Sequence, residues 1–102
     1  MQFINAELMR IFEELAKEPV WLTIAVAARR LAYFKSELNI IHPFREGNGR
    51  TIRLFIQVLA NSKGYDWYYK DMDQVSYMRA MIQSVYDTPL LEELFKNTLR
   101  LR

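Results

Sequence analysis

Apolar residues recur with the period of an α-helix along almost the whole chain. Leu8, Ile11, Phe12 and Leu15 fall three and four apart, which puts one side of a helix over residues 3–17 against a core. Lys17-Glu18-Pro19 ends it, because proline has no N–H to give the helix. Leu31, Phe34, Leu38 and Ile41 draw a stripe along a second helix over roughly residues 20–40. From Ile24 to Ala28 the apolar residues run nearly all the way round, the mark of a central, buried helix. Pro43 and two glycines then force a loop. Ile52, Phe55, Ile56 and Leu59 set a third helix that starts near Asn48, with Lys63 in its last turn and Gly64 just past its end. An aromatic connector runs from Tyr65 to Asp73. Val75, Met78, Ile82 and Val85 mark a fourth helix, and Leu91, Leu94, Phe95 and Thr98 a fifth. Thr88 or Asp87 caps the fifth, with Pro89 in its first turn.

No segment alternates apolar and polar residues convincingly, so no core sheet is expected. The pattern predicts an all-α fold, a compact bundle of about five helices joined by short loops. The apolar stripes are read as core, and no function is assigned to the methionines or aromatics within them.

Composition narrows the picture. A length of 102 residues gives one domain with a modest core. With 51% hydrophobic and 14% aromatic residues the chain is globular and not disordered. The absence of cysteine removes disulfides, thiolate catalysis and cysteine-bound zinc. It fits a cytoplasmic protein. A single histidine excludes a histidine-cluster metal site within the chain. The N-terminus lacks a signal peptide's apolar run, and no stretch reaches membrane-spanning length. A net charge of +2, spread apart from Arg29-Arg30 and the pair Arg100 and Arg102, is too small to argue for nucleic acid. Neither nucleic acid nor membrane is therefore an expected partner.

The chemistry is concentrated between His42 and Arg53, which read His-Pro-Phe-Arg-Glu-Gly-Asn-Gly-Arg-Thr-Ile-Arg. The segment holds the only histidine, two of the three glycines, an acid, an amide and arginines. A protein hydroxyl keeps its proton at neutral pH, and histidine is the side chain best poised to remove it, so His42 is the candidate general base. Glu46 would repel a polyphosphate unless a cation stood between them, which suggests magnesium held by one carboxylate and phosphate oxygens. Gly47, Asn48 and Gly49 precede and begin the third helix. Glycine admits positive φ and close backbone approach, and the N–H groups of a helix start form an anion site. Arg50 and Arg53 share a helix face and carry forks that fit phosphate oxygens. Phe44 is read as an anchor for the loop and Pro43 as fixing its backbone; Arg45 and Thr51 receive no role. Such a group suits transfer of a phosphate-containing group to a hydroxyl.

This stretch resembles the signature of the Fic family, His-Pro-Phe-x-[Asp/Glu]-Gly-Asn-Gly-Arg-x-x-Arg, and meets every fixed position of it. The likeness extends to Tyr33–Ile41 before the motif, to Arg53-Leu54-Phe55 and Gly64-Tyr65 after it, and to Pro89-Leu90 and Leu94-Phe95. The resemblance implies a Fic-type helical bundle with the catalytic loop between its second and third helices. It implies a protein adenylyltransferase that moves AMP from ATP to a Ser, Thr or Tyr hydroxyl of a target protein and releases pyrophosphate. His42 would be the base and Glu46 the Mg²⁺ ligand. Gly47, Asn48, Gly49, Arg50 and Arg53 would bind the nucleotide, Arg53 at the γ-phosphate. Doc-like toxins of the wider family transfer the γ-phosphate and carry Lys where this chain has Gly49, so Gly49 sides with the adenylylating majority. A Doc-like kinase, another nucleotidyl or phosphocholine transferase, and a catalytically silent binding module are the alternatives.

Two family features are thin. Members usually carry a β-hairpin flap ahead of the helix matching residues 3–17, so residues 1–102 are expected to be a single Fic core domain lacking most of that flap, or part of a longer protein. Many are restrained by a helix bearing [Ser/Thr]-x-x-x-Glu-[Gly/Asn]. The near match here, Thr88 to Glu92, is followed by Glu93 and reads as the ordinary closing helix. An inhibitory antitoxin or a regulatory segment is accordingly a further partner to expect, and for an effector the compartment would be a host cytosol.

Overall fold

Ala27, Ala28, Leu31, Ala32 and Phe34 are all buried, and small side chains among them let neighbours approach closely, so their helix becomes the axis of the molecule. The structure, a computed structural model, describes residues 2–41 and 48–102. The helices are α1 (Gln2–Ala16), α2 (Ile24–Ile41), α3 (Asn48–Ser62), α4 (Gln74–Gln83) and α5 (Pro89–Thr98). α2 packs against α1, α3 and α5, and α4 lies on α5. The expected all-α bundle is the one observed.

Local chemistry explains the boundaries. α2 begins four residues later than its apolar pattern predicts, because Thr23 caps it: its hydroxyl accepts from the Val26 N–H at 3.1 Å. The residues before it seat Trp21 in the core, where its indole donates to Glu18 at 2.8 Å. Gly64 ends α3 with a φ of 90°, a conformation other residues rarely adopt. Asp73 caps α4 by accepting from the Ser76 N–H at 2.9 Å. Pro89 opens α5 as expected, but Thr88 makes no side-chain cap there. Its hydroxyl donates instead to the Glu92 carboxylate at 2.8 Å.

Two expectations are corrected. The connector after α3 forms a short strand, β1 (Tyr65–Trp67), which pairs antiparallel with β2 (Leu99–Leu101) in the register Tyr65 to Leu101 and Trp67 to Leu99. Tyr65, Trp67 and Leu99 are buried in the core, so a small sheet does join it. A single 3-10 turn, Tyr69–Asp71, follows β1. In α4 and just past its end the stripe Val75, Met78, Ile82 and Val85 was expected to face inward, yet these residues are 58–66% exposed. The side that packs carries Tyr77, Ala80, Met81 and Ser84. There the Ser36 hydroxyl of α2 donates to the Ser84 carbonyl at 3.0 Å, a close approach that only small side chains permit.

Candidate nucleotide site

The packing of α2 on α3 sets the two ends between which the signature runs. His42, Pro43, Phe44, Glu46 and Gly47 lie outside the described residues. Asn48 opens α3, followed by Gly49 and Arg50 in its first turn. The leading N–H groups of any helix have no partner within it, and its dipole favours an anion there. Among the described residues a Cβ added at Gly49 would meet nothing within 4 Å. Gly49 does not use the positive φ that glycine permits; among the described glycines only Gly64 does. Arg50 is exposed on the same turn as Gly49.

Arg53, one turn further in, is half-buried, and its guanidinium lies 4.5 Å from the centre of the Tyr69 ring. It borders a cleft of about 110 Å³ shared with Trp67, Tyr69, Met72, Gln74 and Tyr77. Thus α3 supplies the cation, while β1, the 3-10 turn and α4 supply an aromatic surround. A larger cleft of about 540 Å³ shares Trp67 and Tyr69 and continues along α3 past Gln57 and Asn61. Behind the Tyr77 ring stands Lys35 of α2, only 1% exposed, its ammonium 5.4 Å from the ring centre. Burial, and then the positive charge of Arg53, lower Lys35 to about 8. Burial raises the Tyr77 hydroxyl, and Arg53 opposes the rise. Arg53 at the cleft and the buried Lys35 behind Tyr77 are thus two positive charges near enough to repel each other.

The rest of the polar network is scaffold. Glu18, its side chain 4% exposed, accepts from Arg30 at 2.6 and 2.9 Å. Lys63 at the far end of α3 donates to the Glu18 and Pro19 carbonyls at 2.9 and 3.2 Å. On the other flank Arg10 donates to Glu37 at 2.8 Å, and the Tyr33 hydroxyl to Glu14 at 2.7 Å. These contacts fix α1 and the end of α3 to α2, and hence the helix start that carries the motif. Among the described residues no group of three or more His, Asp or Glu could hold a metal. No helix among them is long and apolar enough to cross a membrane.

Sequence reasoning placed Gly49, Arg50 and Arg53 correctly on the first turns of α3. It gave no role to Lys35, Tyr69 or Tyr77. A lysine beside Phe34, on the apolar stripe of α2, was the available sign for the first. The aromatic density of residues 65–69 was the available sign for the surround.

The family model for the Fic/DOC family matches residues 2–60. The chain belongs to the Fic/DOC family. It is 41% identical over 73 residues to the protein adenylyltransferase VbhT of Bartonella schoenbuchensis, a match that takes in 71% of this chain and 15% of that protein. Among solved structures it is similar to the N-terminal Fic domain of a cell filamentation protein from Bartonella quintana with bound ADP. That likeness has a TM-score of 0.88 at 27% identity and covers 97% of this chain and 48% of the other. The BepC effector protein of Bartonella tribocorum with bound AMPPNP shares the fold with a TM-score of 0.89 at 23% identity, over 97% of this chain and 49% of that one. The chain therefore spans half the length or less of these relatives. The Fic fold covers nearly all of it, including α4, α5 and the β1–β2 pair beyond the family match.

Proposed function

We propose that this chain is the nucleotide-binding core of a protein adenylyltransferase, transferring AMP from ATP to a Ser, Thr or Tyr hydroxyl of a target protein. The observation that carries the reading is the juxtaposition at the start of α3. A complete Fic signature runs into a helix N-terminus where a Cβ on Gly49 would meet none of the described residues within 4 Å, with Arg53 facing a cleft one turn away. The phosphates lie on the N–H groups of Asn48 to Arg50, which hold them by hydrogen bonds and the helix dipole. Arg50 adds charge, and Arg53 takes the terminal phosphate through its fork. His42 removes the proton of the target hydroxyl as its oxygen attacks the α-phosphorus. The bond to the bridging oxygen breaks, and pyrophosphate leaves with the electron pair. Asn48 donates to an oxygen of the phosphate under attack. One carboxylate plus phosphate oxygens is a donor set that suits magnesium, so Glu46 is the residue to hold Mg²⁺, which when bound neutralises phosphate charge.

Intact-mass spectrometry after incubation with ATP and Mg²⁺, alone and with a cell lysate, tests the reading beside His42→Ala. Addition of AMP to this chain or to a lysate protein, absent in the variant, is the expected result. Addition of a phosphate instead would replace adenylylation with kinase activity. No addition by the longest natural form of the gene product would overturn the assignment.

A further inference from the structure

The Arg53 guanidinium sits at the end of a long, rotatable side chain, and rotamer entropy stands against holding such a group in one direction. The fold contains a device that does so. Tyr69 presents its ring 4.5 Å from the Arg53 guanidinium, a distance at which the positive group is drawn onto the aromatic face. A guanidinium that uses its face on a ring keeps its N–H edge for an oxyanion.

Tyr69 is itself braced. Its ring lies 5.9 Å from that of Trp67, which is buried, meets the Phe95 ring at a tilt with centres 5.0 Å apart and donates to the Thr98 hydroxyl at 3.1 Å. The 3-10 turn closes on it, the Met72 N–H donating to the Tyr69 carbonyl at 3.1 Å. Tyr77 also lines the cleft, with the Lys35 ammonium 5.4 Å from its ring centre. A side chain that served only to fill the core would not need the cation on its face.

We propose that Tyr69 is a positioning residue that aims Arg53 at the terminal phosphate and so makes the site favour nucleoside triphosphates over diphosphates. The inference rests on the nucleotide site proposed above and adds to it what sets the preference. It needs no transfer to be tested, only binding.

Isothermal titration calorimetry with ATP and with ADP, each with Mg²⁺, would compare wild type, Tyr69→Phe, Tyr69→Leu, Arg53→Ala and the double variant. Tyr69→Leu is expected to weaken ATP binding about fivefold, the scale of one cation–π contact, while ADP changes less. Tyr69→Phe should restore the ATP-to-ADP ratio, and Tyr69→Leu should cost nothing more once Arg53 is alanine. Tyr69→Met, closer in volume, replaces the leucine variant if its melting curve shows loss of fold. An unchanged ratio in the leucine or methionine variant, with a normal Arg53→Ala effect, overturns the proposal and leaves the nucleotide site standing. Wild-type ATP affinity in Arg53→Ala would sink the terminal-phosphate role of Arg53 and the proposal together. A loss in the double variant beyond that of Arg53→Ala would show that Tyr69 acts by another route, and also overturns it.

Discussion

The ammonium of Lys35 and the ring of Tyr77 face each other at 5.4 Å inside the protein, pairing a buried charge with an aromatic face. The attraction offsets only part of what burial costs, since Lys35 is held at about 8 against an ordinary 10.5. In the unfolded chain the lysine binds its proton more tightly than in the fold. The penalty is therefore fully present below about pH 8 and is relieved as pH rises toward 10.5. It is on the order of 3 kcal/mol at neutral pH. Lys35→Met should raise the melting temperature at pH 7, and its advantage should shrink between pH 8 and 10. Melting curves at those pH values decide the matter; an advantage independent of pH refutes this account.

Glu18 poses the opposite case. Burial pushes its carboxyl upward, but hydrogen bonds from Arg30 and Trp21 and the charges of Arg30 and Lys63 outweigh it, and the net shift is downward. Its stabilising contribution is present above the unfolded carboxyl's pKa and disappears as pH falls through the lowered folded value. Glu18→Ala leaves Arg30 and the Trp21 indole without their acceptor and should cost about 3 kcal/mol near pH 7. Urea titrations at pH 7 and at pH 3 should show the deficit of the variant narrowing in acid.

Gly49 separates stability from binding. Because a Cβ there meets none of the described residues within 4 Å and the residue is helical without positive φ, Gly49→Ala should stabilise the fold by about 1 kcal/mol. The same methyl stands where phosphate oxygens would approach, so ATP affinity should fall. A variant that melts later and binds ATP as well as wild type would show that this face of α3 is not the phosphate site.

Thr98 accepts the Trp67 indole at 3.1 Å while both side chains are buried. Thr98→Val keeps the shape and removes the acceptor, for a loss of about 1–3 kcal/mol. The Tyr68 N–H bonds to the Thr98 carbonyl, so amide exchange should quicken at Trp67 and Tyr68 before it does in α2. Uniform exchange across both would contradict a local role for this contact.

The helices were legible because their apolar residues repeat at three and four, and their ends because Asn48 and Gly64 are residues that start and stop helices. The face of α4 was not. Val75, Met78, Ile82 and Val85 are the more apolar side, but Ala80 and Ser84 are the side small enough to reach α2. Periodicity ranks hydrophobicity and does not weigh how closely two helices can approach. The strands β1 and β2 escaped notice because three residues are too few to alternate, and their partners lie more than thirty positions apart. In the candidate site, Gly49, Arg50 and Arg53 followed from residue type and spacing. Tyr69 did not, since an aromatic that orients an arginine is distinguishable from a core aromatic only when the two are seen together. The proposed base and the proposed metal ligand, His42 and Glu46, fall outside the described residues.

The register that sets Tyr65 against Leu101, reinforced where the Arg102 N–H donates to the Gly64 carbonyl at 2.9 Å, has a consequence for the order of events on the ribosome. The whole signature from His42 to Arg53 is translated well before residues 99–101, which clamp the segment leading to Tyr69. A nascent chain can therefore display every residue of the motif while the brace behind it is still unmade. A chain of this design completes the support behind its signature only after the signature itself has long emerged.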